Sequence, residues 1–509
     1  MHRMITQNII GFQLSSTSDK HIYATDPGTM VTLPEAFATA TAVETDIAVR
    51  KAYEAFNIYR KMPGTRRAEF LQEIAKGIED LGHVLVERIM QETAYPEARV
   101  IVERNRTCAQ LRMFATEAIS GGWKTATIDP ALPDRTPAPR PEIRKMMIPL
   151  GPVVVFGASN FPLAYSTAGG DVASALAVGC PVIVKAHDSH IGTNALVAEV
   201  ILEAARKTGM PDGVFSSLNG DGMHTGKQLV LHHLTAAVGF TGSKQGGRAL
   251  FDLGQQRENP IPVFAEMGSV NPIFIFPGKA RSDSKGLAGQ LVASMTMTVG
   301  QFCTNPGLLI VLKDHHTEAF LEELAIALKG IPEASMLNHG IYKSFHRGVA
   351  AVREVNGVIM LHDHQSSEGL RTAPVLATVP AEVFLAHPLL HHEVFGPFSI
   401  IVLCENMDEM LNVAGALEGQ LTATVQVSDD ELTETQPLID ILIYKAGRII
   451  MNGVPTGVEV CAAMTHGGPY PASTDSRFTA VGHHAVQRWL RPVSFQNFPA
   501  NLISGMTND

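Results

Sequence analysis

The segment SMTMTVGQFCTNPG, residues 294–307, sets one cysteine, Cys303, between glycines in a run of small and polar residues. A thiol packs like a small hydrophobe, whereas a thiolate attacks electrophilic carbon. The other cysteines, Cys108, Cys180, Cys404 and Cys461, fit the packing role better. Other candidate residues stand where apolar runs end. Lys185 closes CPVIV and precedes Ala-His-Asp188. The pair either marks a strand's exit to water or reaches a ribose beyond the strand's C-terminal end. Gly157 ends one run, and Gly239-Phe-Thr-Gly242-Ser243, with Gly246 and Gly247, ends another. Such turns let a backbone approach a phosphate at the start of a helix. No G-x-G-x-x-G follows the first strand, and ordinary turn chemistry accounts for the same glycines equally well. His187, His190, His391 and His392 lie in two segments without a thiol or acidic set at a recognised spacing, so no metal is expected.

Elements able to hold these residues follow from the hydrophobic pattern. Residues 43–120 carry three- and four-residue apolar steps and read as helices. IDPALPDRTPAPRP, 128–141, has five prolines and reads as an extended arm. From 146 onward apolar runs such as GPVVVFG, CPVIV, GVFSSLN and TAAVGFT alternate with helical segments. That alternation predicts a parallel sheet covered on both faces. The pattern restarts near 264–276, which predicts a second α/β unit and a cleft between the two.

The totals agree with an enzyme of more than one domain. The chain has 509 residues, 45% apolar and 18% charged. A net charge of −10, from 40 basic and 50 acidic residues spread along the chain, gives no footprint for nucleic acid. Five scattered cysteines without a CxxC pair point to a reducing, cytoplasmic setting. The N-terminus does not read as a signal peptide. The longest apolar run, 172–184, is too short for a membrane span, so no membrane association is expected.

Five motifs, in order, resemble the NAD(P)-dependent aldehyde dehydrogenase superfamily. They are Ser159-Asn160-Phe161-Pro162, Gly239–Ser243, Glu266-Met267-Gly268, Gly300-Gln301-Phe302-Cys303 and His392-Glu393-Val394-Phe395-Gly396-Pro397. The tail, with NGVPTGVEV at 452–460 and HGGPYPAST at 466–474, is similar to the branch of α-ketoglutarate semialdehyde and bacterial fatty-aldehyde dehydrogenases, which carries Trp where Val454 stands. The resemblance implies a Rossmann-like cofactor domain (1–127 and 151–264), an α/β catalytic domain (265–480) and a small β oligomerisation element (128–150 and 485–509). It further implies a homodimer or homotetramer.

The same resemblance assigns roles. Cys303 is the nucleophile toward an aldehyde, with a pKa expected to fall below the ~8.5 of a free thiol and with no histidine needed beside it. Asn160 and the Cys303 backbone N–H form the oxyanion hole. Glu266 is the base that activates water, a role that burial would suit by raising its pKa; the plain alternative is a solvent-facing strand end. Its presence argues against a relative that transfers the acyl group to coenzyme A. Glu393 and Phe395 meet the nicotinamide end of the cofactor, Ser243 the pyrophosphate with Gly242 and Gly247 allowing close approach, and Lys185 and Asp188 the adenosine ribose. Asp188 favours NAD over NADP, since a carboxylate repels a 2′-phosphate. Phe161 and Arg106 face the substrate, where Arg106 either fixes a distal carboxylate or pairs with Glu103 or Glu97. With Ala168-Gly169-Gly170 leaving the opposite wall open, a short semialdehyde such as 2,5-dioxopentanoate is favoured over a long-chain aldehyde.

Overall fold

Alternating burial of consecutive apolar residues organises the chain into two seven-stranded sheets, and the computed structural model describes residues 4–363, 369–499 and 502. In the first sheet the strands run in the order Val263–Glu266, Ala237–Thr241, Val153–Phe156, Val182–Lys185, Phe215–Leu218, Asn8–Ile10 and Gln13–Ser15. The first five are parallel, and the N-terminal hairpin adds antiparallel at one edge. Val153 and Val155 point into a core shared with helices Gly64–Asp80, Glu97–Ser120, Gly170–Val178 and Ile191–Lys207. Val154 and Phe156 point the other way, toward Ala42–Tyr59 and Lys244–Gln255. Two-residue alternation between two apolar faces is why these runs carry almost no polar residues. Helix Ala42–Tyr59 starts where Thr41 and Glu44 cap each other, the Thr41 N–H donating to Glu44 at 2.8 Å.

The second sheet runs Ile359–His362, Val375–Pro380, Phe398–Cys404, Leu308–Leu312, Ile273–Ile275, Gln420–Gln426 and Ala446–Met451. All neighbours are parallel except the first pair. Phe274, Ile310 and Ile400 face one core and Ile273, Leu309 and Ile401 the other. A third, antiparallel sheet joins Leu490–Gln496, Ile143–Pro149 and Thr127–Asp129. The proline-rich segment thus begins in a strand and continues as an extended arm with one further bridge, Leu132 to Arg140.

Two apolar stretches that read as single runs are divided between sheets. MMIPLGPVVVF, 146–156, supplies the last four residues of Ile143–Pro149 to the small sheet and Val153–Phe156 to the first. The change of direction falls at Gly151, with φ +143°, where a Cβ would lie 2.8 Å from the Ala236 side chain. VFAEMGSVNPIFIFP likewise gives Val263–Glu266 to the first sheet and Ile273–Ile275 to the second. Among the described residues, no helix is long and apolar enough to cross a membrane.

Candidate active site

Strand order determines where a ligand can enter. In the first sheet the connections reverse direction between Val153–Phe156 and Ala237–Thr241, and parallel sheets open a crevice beyond the strand ends at such a point. Asn160 follows one of these strands and Ser243 the other, while Glu266 ends the next strand along. Cys303 comes from the second unit, after helix Ser284–Thr296 and a turn in which Thr298, Val299 and Gly300 all have left-handed φ, 51°, 57° and 62°. A β-branched residue in that region is strained by roughly 1–3 kcal/mol. Gly300 has no alternative, because a Cβ there would lie 2.3 Å from the Gly396 carbonyl oxygen.

The structure brings Cys303, Glu266 and Asn160 together. Asn160 is buried and donates from Nδ2 to the Gln301 carbonyl at 2.9 Å, leaving the second amide hydrogen for another acceptor. Its own carbonyl accepts from Tyr95 Oη (3.2 Å) and Arg99 Nη2 (3.3 Å). Arg99 is paired with Glu103 at 2.6 Å, and Glu103 accepts the N–H groups of Leu163 and Ala164. This network fixes the loop that carries Asn160 and Phe161. Asn271, itself at φ 46°, donates to the Cys303 and Asn305 carbonyls, both at 2.9 Å, and steadies the loop on the far side.

A residue outside the expected set completes the cluster. His466 Nε2 lies 3.6 Å from Cys303 Sγ and 3.0 Å from Glu266 Oε1. Its segment arrives from the chain's tail because residues 472–474 pair with the edge strand of the first sheet: Met267 N–H donates to Ala472 O (2.8 Å) and Thr474 N–H to Ala265 O (3.0 Å). The His466 N–H is held by Thr479 Oγ1 at 2.9 Å. No histidine was expected to be needed beside Cys303, yet one stands there. HGGPYPAST was visible as a motif, but nothing in it announces a partner 163 residues earlier.

The expected fall in the Cys303 pKa is also corrected. Burial pushes the thiol well above its ordinary value, the carboxylates of Glu266 and Glu393 add to that, and Arg106 and the residue's own N–H pull against it. These surroundings favour the neutral thiol, which a base beside it would help to deprotonate.

Phe161 packs edge-on against Tyr165 and Phe302, with centroids 5.1 and 5.2 Å away. Val458, Val460 and Met464 pack around this cluster. Arg106 pairs with neither Glu103 nor Glu97; it donates to Tyr165 Oη at 3.2 Å, and its buried Nε has no partner. The expected open wall at 168–170 is not there: Ala168 belongs to the first unit's core, and Gly170 begins a buried helix.

Of the residues expected at a cofactor, Ser243, Glu393 and Phe395 line one cleft of about 600 Å³, together with Lys244, Gly268 and Tyr470. A Cβ on Gly268 would lie 2.1 Å from Glu393 Oε2, so the carboxylate is seated on a glycine cradle. Glu393 is open to the cleft yet ringed by protein, and that burial pushes its carboxyl up to about 8, with the Ser269 N–H pulling it back. Ser243 caps helix Lys244–Gln255, accepting from Gly246 N–H at 3.1 Å. Gly242 lies against the Phe240 ring, and Gly247 against Met267, so side-chain packing alone accounts for a glycine at 247. Lys185 and Asp188 stand two strands away at the end of Val182–Lys185, paired at 3.2 Å. His190 Nε2 bonds the Ala158 carbonyl and His391 stacks on Phe384, so these histidines are absorbed by packing.

A cysteine beside a buried histidine and carboxylate at a parallel-sheet crevice suits an enzyme of covalent catalysis, and residues 14–492 match the aldehyde dehydrogenase family. The chain belongs to that family and is an NAD(P)-dependent aldehyde dehydrogenase. Alpha-ketoglutaric semialdehyde dehydrogenase 2 of Azospirillum brasilense is 47% identical over 97% of this chain and 95% of its own. Alpha-ketoglutaric semialdehyde dehydrogenase of Acinetobacter baylyi is 44% identical over 93% and 90%. In fold, a 1-pyrroline-5-carboxylate dehydrogenase from Thermus with bound NAD superposes with a TM-score of 0.82 at 20% identity, covering 96% of this chain and 92% of its own.

Proposed function

We propose that the enzyme oxidises α-ketoglutaric semialdehyde (2,5-dioxopentanoate) to the dicarboxylic acid. The observation that carries this reading is the near full-length identity to two relatives named for that substrate. Arg106 supports it, as a cation whose buried Nε lacks a partner close to Cys303 and Tyr165. A guanidinium so placed suits a carboxylate at the far end of a short aldehyde. The apolar side chains of Val458, Val460 and Met464 favour a second reading, a long-chain aldehyde.

The chemistry follows from the chain's own residues. His466 Nε2 takes the Cys303 proton and, as an imidazolium, stays against the Glu266 carboxylate. The thiolate attacks the aldehyde carbon. The oxyanion is held by the free Asn160 amide hydrogen and the Cys303 N–H. NAD(P)+, held by Ser243, Glu393 and Phe395 in the cleft with Lys185 and Asp188 toward its ribose, supplies the hydride acceptor, and Asp188 favours NAD. Glu266 then takes a proton from the water that attacks the thioester, releasing acid and restoring the sulfur. In this reading residues 1–127 and 151–264 hold the cofactor, 265–480 carry catalysis, and 128–150 with 485–509 join subunits of a cytoplasmic homodimer or homotetramer.

The test is kcat/KM for α-ketoglutaric semialdehyde, succinic semialdehyde and a long-chain aldehyde, each with NAD+ and NADP+ and without coenzyme A. The expected order places α-ketoglutaric semialdehyde with NAD+ first. Equal or better rates on the long-chain aldehyde would reject the carboxylate anchor.

A further inference from the structure

We propose that Cys303, His466 and Glu266 form a three-ligand site for Zn²⁺, and that the ion, when bound, holds the enzyme inactive. One candidate ligand atom from each residue, a sulfur, a ring nitrogen and a carboxylate oxygen, lie within 4.8 Å of one another. The sulfur and nitrogen are 3.6 Å apart, and the nitrogen and oxygen 3.0 Å. Around a tetrahedral zinc ion, with bonds of about 2.3 Å to sulfur and about 2.0–2.1 Å to nitrogen and oxygen, ligand atoms stand roughly 3.3–3.6 Å apart. The three side chains are therefore close to a zinc-binding arrangement before any ion arrives.

An independent observation points to the same site. Both Glu266 carboxylate oxygens are buried without a hydrogen-bond partner, and the residue is only 4% exposed. Its contact with His466 is an ion-pair distance rather than a well-aligned hydrogen bond. A carboxylate so desolvated carries an uncompensated cost that a cation directly relieves. A sulfur, nitrogen and oxygen set suits zinc over magnesium or calcium, which demand oxygen ligands. Three ligands leave a fourth position open, and Cys303 is only partly buried, so solvent or a small molecule can complete the shell.

Binding converts the thiol to a zinc thiolate and releases one proton to solvent, with no change of oxidation state. The sulfur lone pair, the ring nitrogen and the carboxylate are then all engaged, so neither attack nor water activation can proceed. Arg106 and Arg448, whose charges both act on Cys303, oppose the ion. Inhibition rests on the catalytic roles proposed above; metal binding does not.

The experiment titrates the full-length, EDTA-stripped protein with Co²⁺, follows the thiolate-to-cobalt charge-transfer band, and displaces the cobalt with Zn²⁺. One equivalent is expected, with a band that carboxamidomethylation of Cys303 in the wild-type protein abolishes. Losing even an outer partner of a metal ligand typically costs about 10–100-fold in affinity. His466→Ala and Glu266→Gln should thus each weaken Zn²⁺ by at least about 100-fold. Asp314, His315 and His316 form the other close group of ligand types among the described residues. The double variant His315→Ala/His316→Ala should leave the band and the Zn²⁺ affinity unchanged. No band at millimolar Co²⁺, or unaltered Zn²⁺ affinity in folded His466→Ala, would overturn the site. Aldehyde oxidation measured in EDTA is scored separately: its absence beside an intact band sinks the proposed reaction and leaves the site standing.

Discussion

The pocket around Cys303 and the cleft around Glu393 meet at the same crevice but are built on opposite terms. In the pocket, Glu266 and His466 are almost wholly buried, and the carboxylate has no hydrogen-bond partner. On the cofactor side, Ser243 in the cleft is satisfied as a helix cap and Asp188, two strands away, is exposed and paired with Lys185. Unsatisfied, dry groups interact strongly with whatever charge appears beside them, whereas wet and paired groups contribute little each. In the proposed reading the pocket carries the reaction and the cleft holds the cofactor by many small contacts.

That contrast orders the effects of substitution. Cys303→Ala should lower the rate of NADH formation by at least about 10⁴-fold, since nothing else there can carry the acyl group. Activity retained within tenfold would remove the sulfur from the mechanism. Asn160→Ala comes next, with a loss of about 10²–10³ in kcat, about 3–4 kcal/mol of barrier, and little change in KM. A loss confined to KM would move Asn160 from the transition state to ground-state binding.

The fold was largely legible because strands buried on both faces leave near-continuous apolar runs, and the helices between them keep their period. The two runs at 146–156 and 264–276 misled only in seeming continuous, since the break depends on Gly151 meeting Ala236 and on the chain crossing between sheets. Cys303, Asn160 and Glu266 stood out because each sits in a local motif. His466 did not, because its place depends on the tail pairing with residues 265–267, a contact between segments about 200 residues apart. The direction of the Cys303 pKa was hidden for the same reason: burial and two distant carboxylates decide it.

Arg106→Met isolates the substrate side of the pocket. One charge-assisted hydrogen bond is worth about 1.5–3 kcal/mol. The variant should lose about 10–100-fold in kcat/KM for a carboxylated semialdehyde and almost nothing for an uncharged aldehyde of similar length. Equal losses on both would make Arg106 a structural partner of Tyr165 alone. The pocket's electrostatics can be read without turnover, by iodoacetamide labelling of Cys303 at varied pH. A thiol held above its ordinary range should label faster with rising pH through and beyond about 8.5. Glu266→Gln removes a negative charge that raises the thiol's pKa, so its labelling curve should shift to lower pH even as turnover falls. A wild-type plateau below neutral pH would contradict the buried neutral thiol.

The smallest effect belongs to the cofactor side, at Asp188. Asp188 is 47% exposed and already paired with Lys185, so its charge acts on a ribose phosphate through water and against a neighbouring cation. Screened contacts of this kind are worth a fraction of a kcal/mol to about 1 kcal/mol. Asp188→Thr should therefore raise the NADP+ to NAD+ ratio of kcat/KM by only roughly two- to fivefold, and added salt should shrink the difference further. A salt-insensitive change above a hundredfold would mean that Asp188 is desolvated against the cofactor. The cofactor side would then obey the same rules as the pocket, and the contrast between them would fail.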